Sequence, residues 1–170
     1  RYNISKKNSK KKIIIGPWFG EVGFELLYWI PYVRKIVSEN NLNKDLITVI
    51  SRGGVNEWYR DIGSNYQDLY QLIGINEYKD FRLKIINEYK HQKQSKDYLE
   101  KKFLSKYFEI SKYDLITPKY LFGFLGNYFN GYLGKKAVQS FFQYEKLRLN
   151  DYEFEKNVLN KYALKKKNYI

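Results

Sequence analysis

The chain has 170 residues, of which 44% are hydrophobic and 19% aromatic, enough to bury the core of one domain. It contains no cysteine, which excludes disulfide frameworks and thiolate chemistry, and no apolar run long enough to span a bilayer. The formal net charge is +13, but residues 1–12 and 161–170 hold ten of the 31 basic residues and no acid, so the body carries about +3.

The first elements are a strand, a loop and a helix. Residues 1–11 are interpreted as a disordered basic lead-in, and 12–15 as a buried strand. A glycine-spaced loop follows over 16–23. Apolar residues then recur at helical spacing from Leu26 to Val37, and Pro31 predicts a kink or a short turn before it.

The middle of the chain repeats this order. Residues 46–50 form an apolar strand that ends in the loop Ser51-Arg52-Gly53-Gly54, and a short helix runs through Trp58. Alternation over 66–72 predicts a third strand, and 76–110 read as two helices. Residues 113–117 form a fourth strand that Pro118 closes, and the aromatic stretch 118–147 is predicted to be helical.

Strands that alternate with helices predict an α/β fold, a Rossmann-like parallel sheet flanked by helices, with an aromatic-rich helical C-terminal part. We expect this domain over 12–150, and 151–170 as a linker into a missing second domain. Ligands of such sheets bind at the carboxyl ends of the strands, where both glycine loops fall. This edge would bring five side chains to one crevice, namely Trp18, Glu21, Glu25, Arg52 and Trp58.

The first loop spaces Gly16, Gly20 and Gly23 as G-x-x-x-G-x-x-G. It departs from the dinucleotide pattern G-x-G-x-x-G because Trp18 occupies the second glycine position, and no Gly-Lys-Ser/Thr of a P-loop follows. An NADP-dependent oxidoreductase remains an alternative function, since Arg52 just past the second strand could bind a 2′-phosphate. The purely structural alternative is that these glycines only permit a sharp turn and close packing.

Glu21 and Glu25 are the candidate general bases, and the alternative is that both simply complement the helix dipole. The dipole lowers the pKa of such a carboxyl, whereas burial beside aromatic rings raises it. Arg52 is suited to a phosphate or a carboxylate, or else forms a surface ion pair. Trp58 with Tyr59 forms either a sugar-stacking platform or part of the core. With one histidine and no cysteine, neither a metal site nor a nucleophilic triad is expected.

Three segments carry a resemblance to a known family. GPWFGEVGFELLYWIP resembles the opening of a group of bacterial glycosyltransferase-like proteins from polysaccharide and cell-surface carbohydrate clusters. ISRGGVNEWY is similar to the second strand and loop of that group. YDLITPKYLFGFLGNYFNGYLG is similar to its later strand, proline turn and aromatic helix, although the family has a histidine where this chain has Thr117.

The resemblance implies a GT-B-like enzyme with two Rossmann-like domains, of which this chain is the N-terminal, acceptor-side one. A nucleotide sugar would be the donor and co-substrate, with no other cofactor, and the acceptor a polysaccharide or a lipid-linked glycan. Glu25 would be the first choice as base and Glu21 the second. The backbone at Gly16, Gly20 and Gly23 would shape the acceptor pocket.

Substrate binding would also involve the second loop, with Arg52 on a phosphate or an acidic sugar beside Gly53, Gly54 and Trp58. The enzyme would be cytoplasmic, and its basic termini would hold it peripherally on the anionic inner face of the membrane. The alternative function is a non-enzymatic basic module that binds nucleic acid or an anionic membrane surface, although no specific nucleic-acid motif is present.

Overall fold

The computed structural model describes residues 11–89 and 97–131. Its centre is a sheet of four strands, β1 (Lys12–Ile15), β2 (Ile47–Ser51), β3 (Asn65–Asp68) and β4 (Tyr113–Ile116). Neighbouring strands all pair in parallel, in the order β3-β2-β1-β4. The chain therefore moves outward from β1 to β3 and then crosses to the other side of β1, as in Rossmann-like folds. The predicted α/β class with a parallel sheet is confirmed.

The helical elements account for most of the remaining described residues. The first three are continuous, and they are followed by four further helices. In chain order the elements are α1 (Val22–Phe24), a π-helical turn (Glu25–Trp29), α2 (Ile30–Glu39), α3 (Leu69–Leu72), α4 (Ile75–Tyr89), α5 (Asp97–Tyr107) and α6 (Pro118–Phe129). Short 3-10 turns lie at Lys44–Leu46, Asn56–Tyr59 and Ile110–Lys112. The two helices expected within 76–110 are thus confirmed.

The expected break at Pro31 is a π-helical turn rather than a kink between two helices. The Ile30 N–H donates to the carbonyl of Glu25, five residues earlier, which is the π pattern. Pro31 then lies in the first turn of α2, where a missing N–H is tolerated. The helical segment therefore runs from the glycine loop to Glu39 without leaving the face of the sheet.

The predicted third strand is half correct. Residues 65–68 pair with β2, but residues 69–72, which we expected to continue the strand, form helix α3 instead. The reason is a helix N-cap, since the Asp68 side chain accepts a hydrogen bond of 2.7 Å from the Tyr70 N–H. The observed β2 is also shifted by one residue from the expected 46–50.

The sheet is covered on both faces, as a parallel sheet requires. In β1, Ile13 and Ile15 enter one core cluster and Ile14 enters the other. The first cluster also receives α2 and Leu121 of α6, while the second receives Leu104 of α5. Lys11, the last residue of the predicted lead-in, forms an ion pair with Asp114 at 3.3 Å. The rest of the lead-in, residues 132–150 and the predicted linker 151–170 lie outside the described residues.

Candidate functional site

The two glycine loops meet at the carboxyl edge of the sheet. Gly16 has φ of +106°, and a Cβ there would lie 2.3 Å from the carbonyl oxygen of Ile50, the next-to-last residue of β2. The Trp18 N–H donates to that same carbonyl at 3.3 Å. Only glycine permits both this backbone conformation and this approach. The first loop is therefore laid against the end of β2, after a cis peptide bond between Gly16 and Pro17.

Glu25 is the centre of a buried polar network, with none of its surface exposed. Its Oε1 accepts hydrogen bonds from the Ser51 hydroxyl and, at 2.6 Å, from the Tyr59 hydroxyl. Its Oε2 lies 3.0 Å from Nε of Arg52, an ion pair that falls short of an aligned hydrogen bond. One carboxylate thus joins the π-helical turn to the end of β2 and to the turn that follows it.

Opposing effects act on the pKa of Glu25. Burial raises it above its ordinary value of 4.5, and this effect outweighs the lowering by Ser51, Tyr59 and the charge of Arg52. Burial also raises the pKa of the Tyr59 phenol far above its usual range, and the neighbouring carboxylate adds to the rise. Tyr59 therefore remains a hydrogen-bond donor at every physiological pH.

Arg52 connects both loops through its side chain and backbone. Its Nη2 donates to the carbonyl oxygen of Gly20, and its own carbonyl accepts from the Tyr66 hydroxyl. The side chain remains 16% exposed, and Nη1 donates no hydrogen bond to a residue within the described ranges. A partly exposed guanidinium, fixed by a buried carboxylate, is a preorganised site for an anionic or hydroxyl-bearing ligand.

The first loop divides into buried and accessible residues. Trp18 is 1% exposed and stacks on Trp29 with ring centroids 5.7 Å apart, so it is a core residue rather than a pocket wall. Its indole N–H donates to the Glu21 carbonyl at 3.1 Å and so fixes the loop. Glu21 itself is half-buried at the start of α1, and Gly23 is exposed.

The second loop behaves similarly. Tyr59 is buried, and Trp58 is half-buried against the core, with its carbonyl facing Nη2 of Arg34 at 3.5 Å. Tyr59 is therefore part of the core, and Trp58 lies at the edge of it. Gly54 is exposed, and Gly53 lies close to side chains from the end of β3. The structure thus brings Glu25, Arg52 and Gly20 together, while Trp58 packs against the core.

Sequence reasoning missed three members of this network, namely Ser51, Tyr59 as a hydrogen-bond donor and Tyr66. A signal was available for Ser51, because a lone hydroxyl at the end of an apolar strand needs a partner once buried. No such signal distinguishes the two tyrosines from the other tyrosines among the 18 in the chain, because only tertiary packing brings them to the network.

The geometry bears on the NADP alternative and on the classes of site that the residues could form. The guanidinium of Arg52 is paired with Glu25 and Gly20 through Nε and Nη2, so its Nη1 side is the part that could meet a 2′-phosphate or another anion. Within 11–89 and 97–131, no group of three or more His, Cys, Asp or Glu side chains is arranged to hold a metal ion. In the same ranges, no helix combines the length and apolarity needed to cross a bilayer.

Comparison with protein-family models, with curated proteins and with solved structures gave no match for this chain.

Proposed function

We propose that the chain is the acceptor-side part of a glycosyltransferase, which moves a sugar from a nucleotide-sugar donor to a hydroxyl of a polysaccharide or lipid-linked acceptor. The observation that carries the proposal is the contact of Arg52 with both Glu25 and the Gly20 carbonyl. Through it, the two segments that resemble the bacterial family share one edge of the sheet. Ligands of parallel α/β sheets bind at this edge.

The reaction makes two demands on the site. The acceptor oxygen attacks C1 of the donor sugar while the bond from C1 to the phosphate oxygen breaks, and the nucleoside diphosphate leaves with the electron pair. The acceptor hydroxyl gives its proton to a carboxylate base. The leaving diphosphate gains negative charge, which the guanidinium of Arg52 would stabilise.

The two carboxylates differ in how they could serve as base. Glu25 has a raised pKa, which suits proton abstraction near neutral pH, but its oxygens face Ser51, Tyr59 and Arg52. It can reach an acceptor only after Arg52 shifts, for instance toward a bound diphosphate. Glu21 is half-buried at the start of α1 and can contact an acceptor directly. Both remain candidates, and Glu25 also positions Arg52.

The test is an assay of the natural full-length protein against a panel of nucleotide sugars, with oligosaccharide and lipid-linked acceptors. Released nucleoside diphosphate and the mass of the product are measured. We expect Glu25→Gln or Glu21→Gln to slow transfer about 100-fold or more, the usual share of a general base. Glu39→Gln is the control, because this exposed residue ends α2 and has, among the residues that the structure describes, just an ion pair with Lys35.

Two results would contradict the proposal. Absence of transfer with every donor would contradict the function itself, and tight, steeply salt-dependent binding to RNA or anionic vesicles would then favour the basic-module alternative. Transfer that neither Gln variant slows by more than about tenfold would contradict the base assignments alone.

A further inference from the structure

A second group of residues lies at the same edge, beside the buried network. Ser51 and Asp68, the last residues of β2 and β3, are register partners. The residues two positions further on, Gly53 and Tyr70, are consequently neighbours. A Cβ on Gly53 would lie 2.8 Å from Cδ2 of the Tyr70 ring and 2.9 Å from Oδ2 of Asp68. The ring and the carboxylate therefore rest directly on the glycine backbone.

Tyr70 is exposed and yet held in place. The residue is 41% exposed. The ring packs edge-on against Tyr78 with centroids 5.0 Å apart, and the backbone N–H is bound by the Asp68 cap. An exposed ring that is already ordered loses little conformational freedom when a ligand covers it.

The polar groups around the ring favour a ligand rich in hydroxyls. Asp68 uses Oδ1 for the helix cap, while Oδ2 accepts no hydrogen bond from the part of the chain that the structure describes. Arg52 is near enough that its charge opposes the rise in the pKa of Tyr78 that burial causes. The charges of the Asp68 carboxylate and the Arg52 guanidinium offset each other, which favours a neutral ligand over an ion. The site thus offers an acceptor at Oδ2 of Asp68, a donor at the nearby Arg52 and an apolar surface on the Tyr70 ring. These groups match a pyranose, which has hydroxyls at its rim and C–H groups on its face.

We propose that Tyr70, Asp68 and the backbone of Gly53 form a subsite for a neutral pyranose ring of the acceptor glycan. The ring of the sugar lies over Tyr70, and a sugar hydroxyl donates to Oδ2 of Asp68. The subsite lies next to Arg52, so a sugar bound there is held close to the group that would meet the donor phosphate. This inference takes its ligand class from the proposed function and extends it to residues outside the Glu25 network.

The experiment is a titration of the chain, labelled with ¹³C in its tyrosine rings, monitored by NMR. The probes are the methyl glycosides of glucose, galactose, mannose and N-acetylglucosamine, added to about 50 mM because single-sugar contacts give millimolar affinities. Uridine serves as the nucleoside probe. We expect at least one glycoside to shift the Tyr70 ring signal, which Tyr70→Phe identifies.

Variants then test each contact. Tyr70→Ala should weaken glycoside binding about tenfold or more, Asp68→Asn should weaken it by removing the charged acceptor, and Gly53→Ala should weaken it by displacing the ring. Tyr120→Ala is the matched control, since Tyr120 is 40% exposed on α6, which follows the strand at the other end of the sheet. If Tyr70→Ala does not fold, Tyr70→Leu replaces it.

The subsite is overturned if no glycoside shifts the Tyr70 signal of the folded chain, if uridine alone shifts it, or if binding survives the loss of the ring. These outcomes differ from failure of the proposed function. Absence of sugar transfer together with a glycoside-dependent Tyr70 shift contradicts the function and supports the subsite. Transfer with an unchanged acceptor KM in Tyr70→Ala contradicts the subsite alone.

Discussion

The ion pair between Glu25 and Arg52 makes a quantitative prediction about stability. Replacing Arg52 with Met keeps an unbranched apolar stem but leaves the carboxylate of Glu25, which is fully buried, without a countercharge. Removing one partner of a buried pair costs about 3–5 kcal/mol. Because Arg52 is 16% exposed and two hydroxyls still donate to Glu25, we expect the lower end, about 3 kcal/mol at pH 7.5.

The pH dependence follows from the direction of the pKa shift. Glu25 has a pKa above its unfolded value of 4.5, so the folded protein loses stability as the pH rises from 4.5 through the folded-state pKa. Arg52 lowers that pKa, and its removal raises it further. The cost of Arg52→Met therefore grows with pH and is smaller at pH 5 than the value of about 3 kcal/mol expected at pH 7.5.

Urea denaturation at pH 5 and pH 7.5 measures both values. Arg34→Met is the matched control, because Arg34 pairs with Asp61, whose side chain is 51% exposed, and such a pair contributes at most about 1 kcal/mol. The double variant with Glu25→Gln should cost less than the two single variants combined, since the buried charge is gone. A cost for Arg52→Met at pH 7.5 that is below about 1 kcal/mol, or a cost that is equal at the two pH values, refutes the reasoning.

Three further predictions use the same denaturation assay. Gly16→Ala should destabilise by about 3 kcal/mol or more, because φ is +106° and its Cβ would meet the Ile50 carbonyl at 2.3 Å, whereas Gly54→Ala, with φ of +81° and open space, should cost about 1 kcal/mol. Tyr59→Phe removes a 2.6 Å hydrogen bond to the buried carboxylate and should cost about 1–3 kcal/mol, more at pH 7.5 than at pH 5. Asp68→Ala removes the cap of α3 and should cost about 1 kcal/mol, while an unchanged midpoint would contradict the capping role.

Much of the fold follows from the sequence because parallel strands that are buried on both faces consist of nearly continuous apolar residues. The runs at 12–15 and 46–50 therefore locate β1 and β2 to within a residue. The end of β3 is harder, since Tyr66–Leu72 has both an alternating pattern and an Asp that can cap a helix. The hydrogen bond from the Tyr70 N–H to Asp68 favours the helix. A pattern of apolar and polar residues carries no information about the energy of such a side-chain hydrogen bond.

The candidate site was predictable in its location but not in its chemistry. Parallel topology alone brings the loops after β1 and β2 to one edge, so the proximity of Glu25 and Arg52 could be expected. The exposure of each aromatic ring could not be, because a ring's burial depends on what packs against it. Trp18 and Tyr59 are 1% exposed, while Tyr70, which no motif distinguishes, is 41% exposed.

The π-helical turn at Glu25–Trp29 has a consequence for how insertions and deletions act in this region. A π turn contains about one residue more than an α turn, so deleting one of Leu26, Leu27 or Tyr28 would restore regular α-helix. A π turn and the α turn that replaces it cover nearly the same angle around the helix axis, so with α2 anchored in the core the residues before the deletion would keep nearly the same orientation. This segment can therefore gain or lose one residue while Glu25 continues to face Ser51, which makes it a tolerant position for a single insertion or deletion.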